Sequence, residues 1–183
     1  HTLSFSNALR SALREDPDVI LVGELRDAET IQMAMTAAET GHLVLGTLHT
    51  TGAVKTIDRV IDALPGDMRE QSKSFLAQSL NAVITQTLVR TPDGRARRAV
   101  VEIMLMTRAI AKLIMTDQTH QIAAQLQTGK DLGMQMMDQA LMDAIQKKQI
   151  DPDDAFRFAS DKSIFQKFVT DTSVLPKFEV SGT

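Results

Sequence analysis

Cysteine, tryptophan and tyrosine are all absent from these 183 residues. Without cysteine there are no disulfides and no thiolate zinc sites, a usage that suits a reducing cytosol. Seven phenylalanines are the whole aromatic complement, which leaves few platforms for stacking bases. The formal charge of −3 supplies no basic field for nucleic acid. No apolar run approaches the ~18 residues of a membrane-spanning helix, and no segment reads as a signal peptide. A phosphate loop is missing too. The one Gly-Lys pair, Gly129-Lys130, has Ala124 where the first Walker A glycine would stand and Asp131 where the serine or threonine would. The sequence opens on His1, not Met, and reads as a piece of something longer.

What remains is the composition of a globular protein, 43% hydrophobic and 23% charged. Phe5, Ala8, Leu9, Ala12 and Leu13 recur at helical spacing over 5–15, with Ser4 or Ser6 as cap and Asp16-Pro17 as stop. Val19–Val22 is short, branched and bounded by turn residues, which predicts a strand buried on both faces. Asp27 caps a second helix whose inner side holds Thr30, Met33, Ala34, Ala37 and Ala38, and Gly41 stops it. Leu43–Leu48 is the next strand, and a third helix runs to about Leu64. Strand, helix, strand, helix is the βαβ pattern of an α/β protein. A long amphipathic helix is expected from Asp67 to Leu88, a turn at Pro92-Asp93-Gly94, and a strand from Arg98 to Met106, as one arm of a hairpin. After 107 the pattern is helical, with helices at 107–116, 118–127, 134–148, 152–160 and 161–170, and a soft boundary is expected there. Residues 171–183 read as a flexible tail.

Chemistry concentrates at the carboxyl ends of the two strands, where open α/β sheets bind ligands. Glu24 ends the first, and a carboxylate there can polarise a water or hold one through a magnesium shell. Gly23 stands where the commoner Walker B strand has its magnesium-anchoring aspartate; a solvent-facing turn residue is the plainer reading of Glu24. His49 ends the second strand, placed to donate a hydrogen bond to a phosphate oxygen. His42 lies at the other end, about 23 Å away at ~3.3 Å per residue, and odd spacing turns it to the opposite face, so the two cannot share an ion. His120 has no partner in reach. Arg14, Arg26 and Arg59 are candidates for phosphate contacts, with Arg26 equally able to pair with Asp27 or Glu29, while an ordinary surface ion pair is the reading for Arg10. Met33, Met35, Met134, Met136, Met137 and Met142 read as core packing.

Read together, these residues resemble the C-terminal part of the type IV pilus retraction ATPases (the PilT and PilU group) within the bacterial secretion ATPases. The similarity runs through Leu13-Arg-Glu-Asp-Pro-Asp-Val-Ile-Leu-Val-Gly-Glu-Leu-Arg-Asp27 and Thr36-Ala-Ala-Glu-Thr-Gly-His-Leu-Val-Leu-Gly-Thr-Leu-His-Thr50. It continues through Lys55–Arg59, Gln127-Thr-Gly129 and Leu132–Gln135 to about residue 148. The resemblance implies a RecA-like core of the P-loop NTPase type over 1–106, lacking its N-terminal part, and a helical subdomain over 107–170. It implies a homo-hexamer using ATP and Mg2+ to drive pilin disassembly, in the cytoplasm at the inner-membrane pilus base. Its partners there would be the membrane platform protein and a related retraction ATPase. Glu24 becomes the catalytic carboxylate, with His49 and, less directly, His42 coupling phosphate contacts to movement; Arg26 and Arg59 become nucleotide or intersubunit contacts. Ala109-Ile-Ala-Lys-Leu-Ile114 departs from the family's Ala-Ile-Arg-Asn-Leu-Ile at Ala111, which points toward the accessory, PilU-like branch. The absent cysteines argue against the assembly and type II secretion relatives. Without the Walker A segment, the fragment alone is expected not to hydrolyse ATP. The alternative from another class is a non-catalytic module that mediates assembly or partner binding.

Overall fold

The computed structural model describes residues 5–15 and 17–175. Ser4, Asp16 and tail residues 176–183 lie outside them, and so does the side chain of Arg10. Helix α1 (Phe5–Ala12) leads through a 3-10 turn to strand β1 (Val19–Val22). Asp27 accepts the Thr30 amide at 2.8 Å and starts α2 (Ala28–Glu39) where the sequence places it. Strand β2 (Leu43–Gly46) returns parallel to β1, with Val19 opposite Leu43 and Val22 opposite Gly46. Helix α3 (Ala53–Asp62) follows.

Two expectations fail here. β1 is covered on one face only: Ile20 and Val22 are buried beside Ala37 of α2, while Val19 and Leu21 are 51% and 72% exposed. An unbroken apolar run shows that a strand is hydrophobic, not that both faces are covered. The long helix is also shorter than expected. Helix α4 (Arg69–Ser79) ends when Leu80 turns extended, and strand β3 (Ala82–Arg90) takes over. Val83, Thr85 and Val89 face inward while Ile84, Gln86 and Leu88 face out, the period of two of a strand. Branched residues and a partner strand outweigh the helical continuation.

That partner is β4 (Arg97–Leu105), antiparallel to β3 in a register from Ala82 opposite Leu105 to Arg90 opposite Arg97. Thr107 accepts the Ile110 amide at 3.2 Å and caps α5 (Arg108–Met115). Helices α6 (Ile122–Thr128), α7 (Met137–Gln146), α8 (Pro152–Phe158) and α9 (Lys162–Phe165) follow. Of the expected tail, residues 171–175 are instead held: the Asp171 amide bonds Asp153, Thr172–Val174 form a 3-10 turn, and Val174 and Leu175 pack on the later helices. The boundary expected near 107 falls where strands give way to helices, but the apolar core runs through it. Ile110 and Ile114 of α5 and Ile122 of α6 share one cluster with Ile57 of α3, Phe75 of α4 and Met104 of β4. A second cluster packs Leu141, Ile145 and Phe156 of the later helices on Val89 and Val100 of the hairpin. The six methionines all pack on these clusters, Met134 fully buried and the others partly.

Candidate active site

Beyond the ends of β1 and β2 the two chain segments stay locked side by side. The Leu25 amide donates to the Thr47 carbonyl at 2.9 Å, and the Thr47 hydroxyl donates to the Gly23 carbonyl. Gly46 lets Leu25 lie this close, since a Cβ there would sit 2.7 Å from Leu25 Cδ1. Glu24 and His49 ride on these two segments and meet. His49 Nε2 lies 3.2 Å from Glu24 Oε1, and Arg26 Nε lies 2.6 Å from Glu24 Oε2. With its proton on Nε2, His49 donates to the carboxylate. Glu24 is 27% exposed, against 75% and 82% for Arg26 and His49.

The Arg26 hydrogen bond holds the Glu24 carboxyl below its ordinary value against a smaller opposing effect of desolvation, and the charges of Arg26 and His49 add to it. The same bond raises Arg26. Glu24 is therefore an ionised acceptor at neutral pH, its two oxygens oriented by donors from both segments. Arg26 thus pairs with neither Asp27 nor Glu29. Asp27 is occupied as the α2 cap, and the Thr30 amide lowers its carboxyl.

The other candidates lie apart. His42 stands at the entry to β2, its Nδ1 3.0 Å from the Ala37 carbonyl and 3.1 Å from Thr40 Oγ1, and it does not meet Glu24. His42 and His49 do line one cleft of about 1130 Å³, bounded by β2 on one side and β3 on the other. Arg59, in the last turn of α3, is exposed and makes no ion pair among the described residues. Arg14 and His120 are exposed. Gly129-Lys130 is a turn after α6, packed on Met134. Among the described residues no three His, Asp or Glu side chains converge to hold a metal ion. Two residues escaped the sequence reading. Thr47 had a weak signal, as a hydroxyl inside an apolar run. Glu102 had none: its carboxylate bonds the amides of Ala53 and Met137, 49 and 35 residues away.

Known proteins bear the same arrangement of elements. The twitching motility protein of Neisseria gonorrhoeae is 56% identical over 159 residues, covering 87% of this chain and 42% of that protein. The type IV pilus retraction ATPase PilT of Pseudomonas aeruginosa is 54% identical over 154 residues, covering 84% and 44%. A crystal structure of the pilus retraction motor PilT with bound ADP superposes with a TM-score of 0.79 at 40% identity, over 92% of this chain and 46% of that one. The chain thus spans less than half the length of the relatives it matches. The fold is that of a RecA-like secretion ATPase core with helices following it. With the family model for type II/IV secretion system proteins matching residues 1–152, the chain belongs to that family.

Proposed function

We propose that this chain is the C-terminal part of a homo-hexameric ATPase that powers type IV pilus retraction, working in the cytoplasm at the inner-membrane pilus base. The observation that carries the reading is the meeting of Glu24, Arg26 and His49 at the carboxyl edge of two parallel strands. There Glu24 is the base that polarises the attacking water, and Arg26 keeps it ionised. His49 orients the carboxylate through Nε2 and, as the imidazolium, also donates from Nδ1 toward the phosphates; His42, along the same cleft, transmits their loss to β2. Arg59 serves a neighbouring subunit. The described residues alone do not make a metal site, and none of them is assigned to the Mg2+ that accompanies ATP.

The cleft between β2 and β3 supports a second part of the reading. One edge of each strand is unpaired among the described residues, and both strands line the cleft. The retraction ATPases are about twice as long as this chain, and one of their strands would complete the sheet there and bring a phosphate loop to Glu24. On this reading the 183 residues alone do not turn over ATP at millimolar concentration. The platform protein and a related retraction ATPase are the partners of the assembled ring. Identity of 54–56% to proteins named for retraction and twitching favours the principal motor. Ala111 in α5 favours the accessory branch as second reading.

The test is Glu24→Gln in the complete ATPase. Turnover falls by about 10²–10⁴-fold, the usual contribution of a positioned base, while nucleotide binding persists. Turnover within threefold of wild type removes Glu24 from this role.

A further inference from the structure

We propose that Glu102 is a positioning residue that holds the His49 loop in place and couples it to the C-terminal helices. This rests on the assignment of Glu24 and His49 above. Helix α3 starts after Gly52, which has φ +96° and no side chain to cap with. Helix α7 starts after Met136, whose side chain makes no cap bond. Both helices therefore begin with orphan amides, which need an acceptor from elsewhere. Glu102 of β4 serves both at once. Its Oε1 accepts from the Ala53 amide at 2.8 Å and its Oε2 from the Met137 amide at 3.3 Å. Two partly positive helix ends face one half-buried carboxylate.

Each side of this bridge is itself tied down. On one side, Thr56 Oγ1 bonds the Gly52 carbonyl at 2.9 Å and Thr50 Oγ1 at 2.7 Å, which fastens the loop to the first turn of α3. Only Thr50-Thr51-Gly52 separates His49 from that helix. On the other side, Gln135 exchanges backbone bonds with Ile103 at 2.8 and 2.9 Å, and its side chain donates to the Val101 carbonyl at 2.7 Å. His49 is 82% exposed and meets Glu24. Its backbone is held on one side by Thr47, tied to Gly23 and Leu25, and on the other by the start of α3, which Glu102 holds. Glu102 touches neither Glu24 nor His49, so its loss acts through geometry. A misplacement of about 1 Å can cost on the order of 10²-fold in rate without comparable loss of binding.

The test uses the complete ATPase with Glu102→Gln and Glu102→Ala, each alone and combined with His49→Ala, under single-turnover conditions, with Glu24→Gln as reference. Glutamine keeps one acceptor and sets an amide donor against the other helix end. Glu102→Gln is expected to lower kcat about tenfold with KM within about threefold. In the His49→Ala background the same substitution costs less than about twofold, because its route of action is gone. Hydrogen exchange rises together in 50–56 and 135–139. An equal loss with and without His49, or faster exchange in one segment only, overturns the proposal. If Glu102→Ala yields no soluble protein, Glu102→Gln decides. Wild-type turnover in Glu102→Gln beside a dead Glu24→Gln refutes the role of Glu102 alone; wild-type turnover in Glu24→Gln refutes the site itself.

Discussion

Gly46→Ala should destabilise the protein, and only while Leu25 keeps its full side chain. Gly46 lies in strand geometry that alanine adopts without strain, so backbone effects alone favour alanine by ~0.4–1 kcal/mol. The new Cβ, however, would stand 2.7 Å from Leu25 Cδ1 and 3.1 Å from its Cγ, inside the 3.4 Å at which ordinary contact begins. Overpacking costs about 1–3 kcal/mol in a tight core, and the lower end applies here, because Gly46 is exposed and the partly buried Leu25 can turn aside in part. The net expectation is a loss of up to about 1 kcal/mol. At ~2–4 °C per kcal/mol for a chain of this size, Tm falls by a few degrees. Leu25→Ala removes both offending atoms, at its own cost in packing. In that background Gly46→Ala should become neutral or stabilising, a reversal of sign. Urea unfolding of the four proteins in the cycle measures it. Turnover of the complete ATPase adds a second reading, since Leu25 is bonded to Glu24 and flanks Arg26. Displacing it disturbs the 2.6 Å contact between them and should lower the rate about tenfold or more. Destabilisation equal in both backgrounds, within about 0.5 kcal/mol, would refute the proposed close approach.

Arg26→Ala should move the acid limb of the ATPase pH profile to higher pH. Arg26 is the main cause of the lowered Glu24 carboxyl, so its removal lets Glu24 protonate earlier as pH falls, and activity that needs the carboxylate fades sooner. An acid limb that stays in place, or moves down, contradicts the assignment. Asp154→Ala should cost about 1.5–3 kcal/mol, because the nearly buried carboxylate accepts the Arg90 amide at 2.8 Å and alanine leaves that donor unpaired. Exchange at the Arg90 amide should quicken, whereas Asp154→Asn, which keeps an acceptor, should retain at least half of the stability. A loss below about 0.5 kcal/mol for alanine would mean that water replaces the bond.

Local rules carried the reading furthest where a few adjacent residues decide the outcome. Asp27 marks a helix start because a cap acts on an amide only three residues away; Thr107 and Asp151 cap in the same way in the structure. Val19–Val22 and Leu43–Leu48 declare themselves as strands through largely branched or aliphatic runs between turn residues, although the second pairs only as far as Gly46. From that, the sequence alone sets Glu24 and His49 at one edge, because parallel strands joined by a helix end on the same side. The β3 strand was hidden because Leu76 and Leu80 continue a helical spacing into a segment that also alternates at a period of two. Only a partner strand could resolve that conflict.

Tertiary structure alone decided the rest. Which face of β1 is covered, and that Arg26 turns back to Glu24 and not on to Asp27 or Glu29, depend on how segments pack. The Glu102 bridge is the clearest case, for it joins amides 49 and 35 residues away. Pattern and propensity act within a turn of helix or a few strand residues. Contacts across such distances exist only once register, packing and chain direction are fixed together.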